Sequence, residues 1–154
     1  MQIFAENQKA YFNYEILEKI EAGIALIGQE VKSIKNGRIN LAGSYVVLRN
    51  NEAFLVGCTI PPYQPKNAPA DYNSERPRKL LLKKSEIKYL VGKTKQKGLT
   101  LMPLGVYTKD GHHASGRIKL EFAIAKGKKK FDKREVIKKR EAEREISRAL
   151  KDKF

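Results

Sequence analysis

The sequence predicts a mainly β fold with short helices: an OB-like antiparallel β-barrel of about six strands, followed by a basic C-terminal tail that is disordered or helical. Three observations predict it. Segments of alternating apolar and polar residues recur between turn signals. The 154 residues, 41% of them hydrophobic, suffice for one domain with a buried core. The composition then changes abruptly at Lys126. A small closed or partly open barrel suits such strands, because closure removes sheet edges.

Taken in order, residues 10–27 carry strand periodicity. Phe12, Tyr14, Ile16, Ile20, Ile24 and Leu26 fall on one parity, and Asn13, Glu15, Lys19 and Glu21 on the other. Glu18 breaks the pattern, which implies a bend or two strands. Ile27, Val31 and Ile34 are then spaced as one face of a short helix, with Gly37 as its stop and Glu30, Lys32 and Lys35 turned away from the apolar stripe. Residues 45–49 and 53–60 flank Asn50-Asn51 as a hairpin, since asparagine tolerates the left-handed conformations of a tight turn. In the second arm Phe54, Val56, Cys58 and Ile60 share a parity. Residues 61–78 hold five of the six prolines and read as a long ordered loop. Beyond Leu80-Leu81-Leu82 a helix is expected, capped by Ser85, lined by Ile87, Leu90 and Val91 and closed by Gly98. Strands near 99–107 and 117–125 complete the body. In the last, Ile118, Leu120, Phe122 and Ile124 alternate with Arg117, Lys119 and Glu121.

The chain therefore divides into a barrel at 1–125 and a tail at 126–154. The tail holds 13 basic and 6 acidic residues, a net +7 in 29 positions. Ala142, Ile146, Leu150 and Phe154 repeat every four residues, and Glu135 precedes Lys139 by four. The stripe is thin, and isolated helices of this length are marginal in water. The tail is expected to fray until it meets a partner.

Charge narrows the function. Lys and Arg total 32 against 17 acidic residues, a formal +15 with a pI near 9.9. So large a charge calls for a polyanionic partner, with nucleic acid the commonest and an anionic membrane surface the rival. No stretch approaches the roughly 20 apolar residues that span a bilayer, and the first residues lack the order of a signal peptide. A single cysteine, Cys58, allows no internal disulfide. The expected location is the cytoplasm.

No catalytic constellation emerges, and no cofactor or metal is expected. His112 and His113 are adjacent in a turn and lack the spacing of a helical metal pair. Cys58 sits in an apolar strand and reads as a buried thiol. There is no phosphate-binding Gly-Lys-Ser/Thr loop and no Gly-x-Ser-x-Gly elbow. Two basic features remain. Lys83, Lys84, Lys88, Lys93, Lys95 and Lys97 stud one helix and its flanks, as an RNA-facing surface or a solvated one. Lys126, Lys128, Lys129, Lys130, Lys133 and Arg134 surround Phe131, so phosphates can be neutralised while a base stacks. No DNA-reading motif is visible, and a basic barrel suits the irregular shapes of RNA.

Several segments together resemble the small protein B (SsrA-binding protein) family. They are Asn7 with Lys9-Ala10, residues 21–26, residues 28–33, residues 71–82, and the run 125–129 followed by Asp132-Lys133-Arg134. The resemblance spans nearly the whole chain. It implies a non-enzymatic protein of trans-translation, the rescue of ribosomes stalled without a stop codon. Its barrel would bind the tRNA-like domain of transfer-messenger RNA, and its tail would enter the empty mRNA path near the small-subunit decoding centre. Elongation factor Tu and alanyl-tRNA synthetase would be partners through the RNA, with the protein itself a monomer and no membrane involved.

The resemblance also implies site residues. In the barrel Asn7, Glu30 and Leu81 match positions associated with RNA binding, and Lys32 lies in the same helix motif. Read by themselves, Asn7 suits a turn, Glu30 a structural helix carboxylate, and Leu81 the core. As an RNA contact, Glu30 would accept hydrogen bonds from a base amino group or a ribose hydroxyl, or orient a neighbouring lysine. In the tail Lys126, Gly127, Lys128, Lys129, Phe131, Asp132, Lys133 and Arg134 match the motif, with Gly127 as a hinge, Phe131 for stacking and Asp132 as a helix cap. The chain departs from the family in a longer turn at 108–116 and in having no tryptophan. The rivals are a ribosomal protein or OB-type translation factor binding ribosomal RNA directly, an RNA-processing enzyme, and a membrane-surface protein.

Overall fold

A computed structural model describes residues 2–109, 117–128, 140–142 and 144. Seven strands form one antiparallel sheet, in the order β1 (Gln2–Glu6), β6 (Leu99–Thr108), β7 (Ile118–Gly127), β2 (Tyr14–Ile24), β5 (Arg78–Leu81), β4 (Glu52–Val56) and β3 (Tyr45–Arg49). Among the described residues it is accompanied by the α-helices α1 (Gln8–Asn13), α2 (Gly28–Lys35) and α3 (Lys84–Thr94) and a 3-10 turn at Pro65–Asn67, and residues 140–142 and 144 are helical as well. The sheet curls until β3 lies beside β6, leaving β1 at an edge. This is the partly open, OB-like barrel expected, with β1 and β5 as strands the periodicity did not single out.

The long strands follow their alternation. Leu120, Phe122 and Ile124 of β7 are buried with Leu101 and Val106 of β6, Ile34 of α2, Leu55 of β4, Leu80 of β5 and Leu90 of α3. Burying side chains of this kind stabilises by about 1.5–3 kcal/mol each. The break at Glu18 is a β-bulge: Ile16 pairs with Ala125 and Glu18 with Ile124, so Leu17 is the extra residue.

Four expectations change. Residues 10–13 are helical, not extended, because Ala10 is small enough to seat α1 on Leu104 and Ala123 over the outer face of the sheet. The parity through 53–60 is not continuous. Gly57, at φ +76, turns the chain, so Ala53 and Leu55 point inward before it and Cys58 and Ile60 after it, leaving Phe54 and Val56 half-buried on the other face. The cap of α3 is Lys83 rather than Ser85, with Glu86 Oε1 accepting the Lys83 N–H at 3.0 Å. Glu30 is not turned outward; it is fully buried. The hairpin turn is as read, with Asn50 and Asn51 at φ 51 and 60.

Lys129, Lys130, Phe131, Asp132, Lys133 and Arg134, most of the tail stripe, and the histidine turn at 110–116 lie outside the described residues.

Candidate nucleic-acid interface

Residues 61–77, rich in proline, cannot supply a regular ladder of N–H donors, so the segment is held by side chains. Ser33 Oγ donates to the Pro61 carbonyl at 2.6 Å, and the Gln64 N–H donates to Gln29 Oε1 at 3.1 Å. Both anchors stand on α2. The Tyr72 hydroxyl donates to the Ile60 carbonyl at 2.6 Å, and burial beside Glu30 pushes its pKa up.

Glu30 is the hub of this arrangement. Its Oε2 accepts from Arg78 Nε at 2.8 Å, and its Oε1 accepts from Arg76 Nη2 at 2.5 Å and from the Ile27 N–H at 3.0 Å. Arg78 is as buried as Glu30, and its remaining donors reach the Cys58 carbonyl at 2.6 Å and the Ser74 carbonyl at 2.9 Å. One carboxylate thus faces two guanidinium groups. Arg78 is consumed inside, while Arg76, about one third exposed, brings the surplus positive charge to the surface. Cys58 lies against this hub, and burial raises its thiol to about 11, which leaves it inert as a nucleophile.

The same segment delivers the exposed groups. Along β5 Arg78 and Leu80 point inward, while Lys79 and Leu81 point outward. Leu81 is 57% exposed, so it is not the core residue its flanking leucines suggested. Its side chain lies over Gly23 of β2, where a Cβ would come within 3.3 Å of it. Lys79 pairs with Glu52 at 3.4 Å. Lys32 is exposed on α2, its ammonium 5.9 Å from the ring centre of Tyr63. The result is a surface of cations, an aromatic ring and an exposed leucine around a rigid buried ion cluster. Such groups neutralise phosphate and cover base or ribose edges.

Asn7 belongs to another neighbourhood. It is buried, its Nδ2 donates to the Pro103 carbonyl at 3.0 Å and its N–H to the Leu104 carbonyl at 2.8 Å, which ties α1 to β6. The root of the tail is fastened to the same helix. Lys126 and Gly127 extend the β7 ladder against Glu15 and Tyr14. The Lys128 N–H donates to the Asn13 carbonyl at 2.9 Å, and its ammonium to the Tyr11 carbonyl at 3.2 Å. Of the barrel residues singled out, Glu30, Lys32 and Leu81 are thus joined through α2, the loop and β5, and Asn7 is not among them. Arg76 and Arg78 were absent from the sequence-derived site. Their signal was two arginines closing a proline-rich loop, just ahead of Leu80-Leu81-Leu82. Among the described residues no three His, Cys, Asp or Glu side chains converge to hold a metal.

Known proteins resemble this chain along nearly all of its length. The family model described as SmpB protein matches residues 4–152. An SsrA-binding protein of Carboxydothermus hydrogenoformans is 52% identical over 153 residues, covering 99% of each chain. That of Enterococcus faecalis is 47% identical over 151 residues, covering 98% of this chain and 94% of its own. A solved chain from the work described as "tmRNA-SmpB: a journey to the center of the bacterial ribosome" superposes with a TM-score of 0.65 at 44% identity, covering 82% of this chain and 85% of its own.

Proposed function

The chain belongs to the SmpB protein family, and from that premise we propose that it binds the tRNA-like domain of transfer-messenger RNA and brings that RNA to stalled ribosomes. Its work is recognition rather than catalysis. The observation that carries the reading is the match over 4–152, which takes in the barrel and the basic tail together. In this reading residues 1–125 bind the RNA, and residues 126–154 occupy the empty mRNA path at the small-subunit decoding centre. Alanyl-tRNA synthetase and elongation factor Tu act on the RNA that the protein, a cytoplasmic monomer, holds in place.

The barrel residues divide by mechanism. Arg76, Lys32 and Leu81 stand at the surface and touch RNA. Glu30 reaches no solvent, so it acts by fixing Arg76 and Arg78 before the RNA arrives, which spares the complex the entropy of ordering them. Asn7 acts likewise through α1, whose C-terminal end holds Lys128 at the start of the tail. In the tail Lys126, Lys128, Lys129, Lys133 and Arg134 meet phosphates, Gly127 and Asp132 shape the chain, and Phe131 stacks on a base.

The test is a competition at fixed salt. Labelled tRNA-like domain bound to the protein is challenged with excess ordinary tRNA, and the chain ending at Lys126 is carried in parallel through a tagging assay. Binding that survives the competitor, with tagging lost in the truncated chain and RNA binding retained, is expected. Displacement by ordinary tRNA at equal concentration would favour direct, unspecific ribosomal RNA binding instead.

A further inference from the structure

Helix α3 carries exposed cations along one flank. Ile87 and Leu90 are buried against the barrel, while Lys84, Lys88 and the C-cap Lys95 are exposed about 110° around the helix from them. At 100° per residue these three fall within one narrow stripe, about 16 Å long from first to last. Among the described residues none of the three meets a carboxylate. Two acidic groups on or beside the helix are engaged elsewhere: Glu86 accepts the Lys83 N–H, and Glu18 accepts the Tyr89 hydroxyl at 2.5 Å. Lys93, on another side of the helix, has its ammonium 5.7 Å from the Tyr89 ring centre.

Gly92 is the second observation. It lies one turn beyond Lys88 and one turn before Lys95, exposed, inside the helix. A Cβ built there meets nothing within 4 Å, and its φ is not positive, so neither crowding nor backbone conformation demands glycine. Glycine in a helix interior is destabilising relative to alanine, and like charges at i and i+4 destabilise further. The helix therefore carries two local penalties on one flank. A glycine between lysines leaves room for the close approach of another backbone.

We propose that the Lys84–Lys88–Lys95 face of α3, with Gly92 as its low point, docks the phosphate backbone of a helical segment of the RNA that the barrel binds. This rests on the reading that the barrel binds a structured RNA and extends its footprint. Leu81 stands three residues before Lys84, so a short link joins the exposed leucine to the start of the stripe. A polyanion with regularly spaced charges fits cations set one helical turn apart, and a strand can settle over Gly92 where a longer side chain would hold it off.

The experiment compares wild type, the triple variant K84Q/K88Q/K95Q and G92Q, each full-length. Binding to labelled tRNA-like domain is followed by anisotropy across a salt series, and Tm by circular dichroism. For the triple variant the expected result is a log–log salt slope shallower by about 2 to 3, since each phosphate left without its lysine removes about 0.9. For G92Q it is an unchanged or higher Tm with binding weakened roughly tenfold, the equivalent of about one charge-assisted hydrogen bond. An unchanged slope in the triple variant, or G92Q binding like wild type, overturns the proposal and makes the stripe a solvated face. So does pelleting of wild type with anionic phosphatidylglycerol vesicles that the triple variant loses while its RNA slope is intact. Wild type that fails to prefer the tRNA-like domain over ordinary tRNA sinks the functional reading alone, because the slope difference, read on either RNA, still decides the α3 face.

Discussion

Replacing Glu30 by Gln is the most informative single perturbation of the barrel. Glu30 and Arg78 are both wholly shielded from solvent, and the carboxylate also anchors Arg76 and the Ile27 N–H. The amide keeps the volume but removes the charge and turns a donor toward a guanidinium. Arg78 is left as an uncompensated buried cation, a change of about 3–5 kcal/mol. A domain of this kind has about 5–15 kcal/mol in all, so the variant folds but near its limit. At roughly 2–4 °C per kcal/mol for a chain of this size, Tm falls by about 6 to 20 °C. Urea unfolding is the assay, because a lower midpoint at constant m reports stability alone. The double variant E30Q/R78M should lose less than the sum of its parts, by about 0.5–3 kcal/mol, since it removes the stranded charge. RNA binding should fall in step with the loosening of Arg76 and recover in part on cooling. A variant that unfolds at the wild-type urea concentration yet binds no RNA would refute this account and make Glu30 a direct RNA contact.

Three other outcomes are expected. Leu81→Ala should shift stability by no more than about 0.5 kcal/mol, as for surface substitutions, because Leu81 is 57% exposed; binding to the tRNA-like domain should weaken, and unchanged affinity in a filter assay would remove Leu81 from the interface. Phe131→Ala should cost about 1–3 kcal/mol of the tail's interaction if a base stacks there, and a wild-type tagging rate would exclude that role. Burial raises the Cys58 thiol from 9.0 to about 11, so the folded state holds its proton longer than the unfolded chain does. Its contribution is intact below the unfolded value and declines as pH rises from 9 toward 11, by about 1.4 kcal/mol per unit. Between pH 8 and 10 wild type should therefore lose about 1 kcal/mol more than Cys58→Ala in urea unfolding, and parallel losses would contradict the assigned burial.

The barrel class was legible in the residue order, because much of β2 and the first half of β7 alternate buried or half-buried apolar residues with more exposed polar ones, while β6 and the second half of β7 are covered on both faces. It also placed α2, the Asn50-Asn51 turn and the charge break near Lys126, since helix period, left-handed tolerance and net charge are local properties. The family followed from motifs spread along the chain, without any geometry. Where the motif residues stand, and against what, depends on the closed fold. Whether Leu81 faces solvent depends on the register of a four-residue strand between two neighbours, and its flanking leucines carry no sign of that register. The parity reversal at Gly57 and the helix at Gln8–Asn13 likewise depend on what packs opposite them. The ion cluster of Glu30, Arg76 and Arg78 joins residues 46 and 48 positions apart. A carboxylate in a helix motif looks the same in sequence whether it meets water, RNA or a buried arginine, because desolvation and partnership exist only once the chain has closed around it.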